Sequence, residues 1–256
     1  MKGIRFKMTQ YSPVAPVEVL QQMKLRNMLS NYLLLLAHEV VNKPHAYAQL
    51  LDGFDGTIIL DNSLIELGTP VDMSVMLTAA AIVKPNFVVM PDMLGDRVAT
   101  VSMTTAAIQQ YGSKFIDGTG FMVAAQGNDV NDAVWCVEEI VKKHKSAHFM
   151  VGIPREVTNR QGSRIPLTSQ LTARKYQVHL LGMSNNFKDD VSSALIYGVQ
   201  GIDSASPVRA GWDNLVYTGQ TSHLRPREEY FEQCRGFNMM MAYNVGMIEG
   251  LIGAKK

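Results

Sequence analysis

The chain is expected to form an α/β fold: a (β/α)8 TIM-type barrel in a single domain, with a helical C-terminal tail. Three observations predict it. Short apolar runs recur every few tens of residues, each followed by a stretch of helical period, the alternation expected of parallel strands and crossover helices. The length of 256 residues suits one barrel of eight strand and helix units. Neither GxGxxG nor a GxxxxGK(S/T) phosphate loop follows an early run, which weighs against a doubly wound open sheet.

The expected strands cover residues 32–40, 56–61, 87–92, 120–126, 147–154, 178–183, 201–204 and, most weakly marked, 214–218. Between them, residues 71–83, 98–111, 130–144 and 189–197 carry helical periodicity and can each cover one flank of a parallel sheet. The domain spans 1–256, with the barrel core at about 30–220 and a helical segment at about 225–252. In that tail Met239, Met240, Met241, Val245 and Met247 are expected to be buried against the barrel, with a homodimer surface as the other use of the same face.

Composition bounds the function. Lys and Arg number 24 against 23 Asp and Glu, a net charge of +1, so no global basic field draws in a polyanion and nucleic-acid binding must use a local patch. Cys136 and Cys234 are too few and too far apart for a Cys-rich zinc site, and their apolar neighbours suit buried free thiols. The sixteen methionines read as core filler. The start lacks an apolar signal core and the longest apolar run is too short for a bilayer, so the expectation is a cytoplasmic protein with no membrane partner.

In a parallel barrel the chemistry gathers at the C-terminal ends of the strands. Here those ends are polar: Asp61 in ILDNS, Asp92 in VVMPD, Gln126 in VAAQG, Gly152 and Ile153 in MVGIPRE, and Asp203 in GVQGIDSASPVR. Taken singly, each has an ordinary structural use as a helix cap, a turn or a partner for backbone groups. Three carboxylates and an amide at one mouth, beside low-dielectric walls, suit acid, base and nucleophile roles. Metal binding by the carboxylates, with His38 and Glu39 added, ranks lower because no close ligand motif is present. Arg155, Arg160, Arg164, Arg174 and Lys175 crowd the region after the fifth run, and Arg209, Arg225 and Arg227 follow the seventh. These are either solvated charge or phosphate contacts by the mouth.

The ordered set resembles the tRNA-guanine transglycosylases, which insert 7-deazaguanine bases, and their virus-encoded relatives that modify DNA. LDNS at Asp61 is similar to the family's TDSG, AAQG at Gln126 and Gly127 to its VQG, and VGIPRE at Gly152 and Ile153 to GGLAVGE. HLLGM from His179 is similar to HYLMGVG, and GVQGIDSASPVRA to GVDMFDCVMPTRNA. The match runs from Asp61 to about Arg209. It departs at two places: the CxCxxC zinc cluster with its later His is absent, His223 having no thiol partners, and the GGF after TDSG is replaced by Leu64, Ile65 and Glu66.

The resemblance implies Asp203 as nucleophile at C1′ and Asp61 as proton donor and acceptor. It implies Asp92, Gln126, Gly127, Gly152 and Ile153 as base-binding residues; the candidate nucleic-acid contacts, Arg155, Arg160, Arg164, Arg174, Lys175 and Arg209, come instead from the local clustering of basic residues by the expected mouth. No metal or cofactor is implied once the zinc motif is gone. The partners are a 7-deazaguanine base and a nucleic acid, DNA being favoured because the zinc-bearing element goes with tRNA use, and the same reaction on tRNA stays open as an alternative. A viral source, acting in the host cytoplasm, fits the compact zinc-free form. A non-catalytic nucleobase-binding subunit and a metal-dependent barrel hydrolase stay open as other classes.

Overall fold

Leu33, Leu34, Leu35 and Leu36 are all buried, as are Met122 and Val123 and the Met150–Val151 pair. Such continuous runs have no polar face to give to water, so they form strands covered on both sides. The structure, a computed structural model, describes residues 9–184, 187–218 and 230–253. Along the chain it runs β1 (Gln10–Pro13), α1 (Val17–Leu25), β2 (Tyr32–Leu36), α2 (Ala37–Asn42), α3 (Pro44–Leu51), β3 (Thr57–Asp61), α4 (Leu64–Leu67), α5 (Met73–Val83), β4 (Phe87–Val89) and α6 (Arg97–Tyr111). It continues β5 (Gly120–Ala124), α7 (Val130–Lys143), β6 (Phe149–Pro154), α8 (Glu156–Gln161), α9 (Ile165–Ala173), β7 (Val178–Leu181), α10 (Phe187–Tyr197), β8 (Gly201–Ser204), α11 (Ser206–Trp212), α12 (Tyr230–Gln233) and α13 (Met239–Leu251).

The eight strands form one parallel sheet in the order β1-β8-β7-β6-β5-β4-β3-β2, curled into a nearly closed (β/α)8 barrel. Its two edges, β1 and β2, meet at a seam where Leu34 N–H donates to Ser12 Oγ at 2.7 Å. A side chain thus stands in for a ladder acceptor at the seam. Across the interior, Gly201 admits the Tyr32 ring: a Cβ there would lie 2.4 Å from Tyr32 Cε1.

The expected strand at 214–218 is corrected. That segment is not a strand, and the missing one is β1, paired with β8 from Gln10 opposite Gly201 to Pro13 opposite Ser204. The barrel therefore begins well ahead of residue 30. Strand ends also differ: β2 stops at Leu36 and β4 at Val89, because the residues beyond turn into α2 or into the loop before α6.

Asp96 caps α6 by accepting from Val98 N–H and Ala99 N–H, and Asp129 caps α7 by accepting from Asp132 N–H. The tail packs as α13 on α11. Asn244 secures it: its Nδ2 donates to Pro207 O and Leu215 O, while its Oδ1 accepts Tyr217 N–H at 2.8 Å. Met241 and Val245 are buried there and Met240 and Met247 half-buried, but Met239 is 85% exposed, contrary to expectation, since it sits in the first turn facing outward. Cys136 and Cys234 are buried free thiols. Among the described residues no helix is long and apolar enough to cross a membrane.

Candidate active site

The strand ends open into a cavity of about 620 Å³, lined by residues from β2, β3, β4, β6, β7 and β8 and the loops after them. That is the size of a small-molecule site. Its ionisable lining is mostly acidic: Glu39, Asp61, Glu66, Asp92, Glu156, Asp203 and Glu232, against the guanidinium of Arg155 and the imidazole of His38.

Asp203 occupies the end of β8, nearly buried. Its Oδ1 lies within hydrogen-bond distance of His179 Nε2 on β7, at 2.9 Å, and accepts Gly182 N–H at 3.0 Å. Gly182, at φ +63°, turns its amide back toward the barrel axis in a backbone conformation that glycine adopts freely. His179 is itself held: its Nδ1 lies 2.7 Å from Tyr32 OH, whose burial and the neighbouring Asp203 charge push the phenol well above its ordinary range.

Asp61 ends β3, and the turn after it is tight. Ser63 adopts φ 61°, a left-handed conformation costly for a residue with a Cβ. Two local bonds compensate: Asp61 Oδ2 accepts Ser63 N–H at 2.8 Å and Asn62 Oδ1 accepts Leu64 N–H at 3.0 Å. Burial, followed by the charge of Glu66, raises the Asp61 pKa well above the carboxylate range; the Ser63 bond opposes this, and Asp203 and Asp92 add to it. Asp61 is thus set to hold a proton that an ordinary aspartate would have lost.

Asp92 is 4% exposed and accepts from Asn62 Nδ2 at 3.1 Å and Gln126 Nε2 at 2.7 Å. Burial raises its pKa and those two donors pull it back. Gln126 is fully buried, its Oε1 accepting Gly95 N–H at 2.9 Å and Arg160 Nη2 at 3.4 Å. Asn62, Asp92 and Gln126 make a polar floor whose orientation is fixed by its own hydrogen bonds.

The structure brings Asp61, Asp92, Gln126, Asp203 and Arg155 to one cavity. Others it places elsewhere. Gly152 is inside β6, its carbonyl accepting Ala125 N–H, and a Cβ there would meet Leu181 Cδ1 at 2.5 Å; Ile153 is fully buried with its carbonyl taken by Arg164. The cavity is met two residues later, by Pro154, Arg155 and Glu156. Gly127 packs on the start of α7, where a Cβ would lie 2.5 Å from Asp132 Cβ.

The basic patch divides as well. Arg164 is fully buried: Nε donates to Asp190 Oδ1 at 2.9 Å, Nη2 binds the same oxygen, and Nη1 donates to Ile153 O and Leu181 O. It is a strut between β6 and β7, with no group left for a phosphate. Arg174 and Lys175 follow the C-terminus of α9 and precede β7, so they lie at the opposite end of the barrel, and Arg174 pairs with Glu138. Arg209 is 4% exposed, stacked 4.8 Å over Trp212 and paired with Asp213. Arg155 and exposed Arg160 remain at the rim. Arg225, Arg227 and His223 lie outside the described residues.

Sequence reasoning missed three groups. His179 lay inside an apolar run and Tyr32 at the head of another, with nothing local to show that they meet. Glu66 stood only as part of a departure from a motif, yet its carboxyl faces the cavity with Oε2 enclosed and unpartnered among the described residues. Burial raises it to about 7; its own backbone N–H and Arg155 oppose the shift, while Asp203 and Glu156 add to it. Among the described residues no three His, Cys, Asp or Glu side chains stand close enough to hold a metal ion. No protein-family model and no curated protein matches the chain.

Proposed function

We propose that the protein is a base-exchange transglycosylase that replaces guanine in a nucleic acid with a 7-deazaguanine base. One observation carries this reading: Asp203 is anchored through a single oxygen at the mouth of a base-sized cavity that also holds a proton-retaining carboxyl, Asp61.

The chemistry balances on those two groups. Asp203 Oδ2 attacks C1′; the C–O bond forms as the C1′–N bond to guanine breaks, and its electron pair leaves with the base. Asp61 delivers its proton to the departing ring nitrogen. The incoming base then loses a proton to the Asp61 carboxylate and attacks the same carbon, releasing Asp203. Asp92, braced by Asn62 and Gln126, offers acceptor capacity to the donor edge of a guanine-type base.

The acidic lining repels phosphate from the cavity floor, so the polymer backbone belongs on the rim near Arg155 and Arg160, with the target nucleotide turned inward. DNA is the preferred polymer because the zinc-bearing element associated with tRNA use is missing from the sequence. A metal-dependent hydrolase built on the same carboxylates lacks a ligand triplet among the described residues.

The test is to incubate the protein with duplex DNA and with tRNA, each with labelled 7-deazaguanine bases, and follow label and covalent adducts on denaturing gels. Wild type is expected to label DNA and form an adduct, and Asp203→Asn to do neither. Normal exchange by Asp203→Asn would overturn the nucleophile assignment, and label entering tRNA alone would overturn the choice of polymer.

A further inference from the structure

The acceptor atoms around His179 fix where its proton must be. As the nucleophile of the proposed reaction Asp203 is a carboxylate, which can only accept, so Nε2, 2.9 Å from its Oδ1, carries the hydrogen. In the neutral ring Nδ1 is then an acceptor, and the group 2.7 Å from it is Tyr32 OH, which donates. Tyr32 has one other polar contact on that oxygen, the weakly interacting Met150 Sδ at 3.9 Å. The chain of bonds runs from β2 through β7 to β8, wholly inside the barrel, with Tyr32 1% and His179 0% exposed.

We propose that Tyr32 and His179 act as positioning residues: the phenol fixes the imidazole as the Nε2–H tautomer, and with Gly182 N–H this donor occupies Asp203 Oδ1, leaving Oδ2 as the oxygen that attacks. The inference rests on Asp203 being the nucleophile of the proposed reaction. Two observations make the geometry stiff. Gly201 exists opposite Tyr32 with no room for a Cβ, which seats the ring. His179 is paired in register with Gly152 on one side and Gly201 on the other, so both strands flanking the imidazole carry no side chain at its level.

The bland alternative is a core histidine that merely fills the barrel. It differs in what it predicts for the imidazole proton and for catalysis: a space-filling histidine has no fixed tautomer, and losing its N–H leaves kcat unchanged, whereas losing the donor that holds Oδ1 lowers kcat and leaves binding of the free base alone.

The experiment uses full-length wild type, Tyr32→Phe, His179→Gln and His179→Leu. Imidazole 15N spectra of the wild type are expected to place the His179 proton on Nε2, and Tyr32→Phe to lose that preference. In base exchange, His179→Leu is expected to lower kcat by about tenfold to a hundredfold, the worth of a hydrogen bond to a charged group. KM for the free base should stay within about twofold. His179→Gln, which keeps an N–H donor, should recover part of kcat, and Tyr32→Phe should fall between.

A wild-type proton on Nδ1 would overturn the relay. So would folded Tyr32→Phe and His179→Leu proteins with unchanged kcat; should His179→Leu fail to fold, Tyr32→Phe carries the test. Spectra with the proton on Nε2 in a protein that exchanges no base would leave the relay standing and sink the transglycosylase reading instead.

Discussion

At Glu66 a carboxyl stands in a wall that solvates it poorly, with Asp203 and Glu156 adding like charge. Its pKa rises from an ordinary 4.5 to about 7, so between those values the folded protein holds a proton that the unfolded chain has released. By linkage, stability falls as pH rises through that window, and the cost is complete above about pH 7. Glu66→Gln removes the titration and keeps the shape. It is expected to stabilise the fold at pH 8 by on the order of 1–3 kcal/mol and to do little at pH 4.5, as read by urea unfolding at the two pH values. Equal effects at both would mean that Glu66 is solvated in the folded state. Nothing near Leu64–Ile65 in the sequence marks this residue. Its environment comes from strands far away in the chain.

The loops of β6 and β7 are held by a buried ion pair between elements, Arg164 at the start of α9 and Asp190 in α10. Asp190 Oδ2 also accepts Ser184 N–H at 2.7 Å and Ser184 Oγ at 3.0 Å, so one carboxylate fixes the loop that carries Gly182 toward Asp203. Arg164→Leu would leave that carboxylate buried without its cation. The expected loss is about 3–5 kcal/mol in chemical unfolding. The salt dependence of nucleic-acid binding should not change, because Arg164 offers no group to a phosphate. A smaller salt slope with intact stability would return Arg164 to the surface patch. Strands β2 to β6 were legible because their apolar runs are continuous, β7 and β8 only as short runs broken by His179 and Asp203, and Asp61, Asp92 and Asp203 because strand ends in a barrel point to its mouth. The fate of Arg164 was not legible, since a run of basic residues reads the same whether it faces water or a buried partner such as Asp190, more than twenty residues on.

Closure of the whole barrel depends on its least conspicuous strand. Gln-Tyr-Ser-Pro at β1 has no apolar run and alternates over only four residues, so periodicity passes it over and lands on residues 214–218 instead; what makes it a strand is the open edge of β8 and the buried ring of Tyr11, whose OH donates to Ser204 O at 3.1 Å. At the seam with β2, Ser12 is fully buried and its Oγ takes the Leu34 amide. Ser12→Ala removes that acceptor while adding no bulk, leaving a donor inside the wall with no partner and no access to water. The cost of such a group is about 1–3 kcal/mol. Because the lost acceptor belongs to one bond at the seam, the loss is expected to be local before it is global. The Leu34 amide should exchange its hydrogen at least tenfold faster, with smaller changes in β4 to β6 on the far wall. The shift is also expected to reach the cavity, since Leu34 and Leu36 line it and Tyr32 heads the same strand. Native-state hydrogen exchange on wild type and Ser12→Ala checks this. Uniform acceleration in all eight strands would mean that the barrel opens only as a unit, and unchanged Leu34 exchange would mean that another group closes the seam.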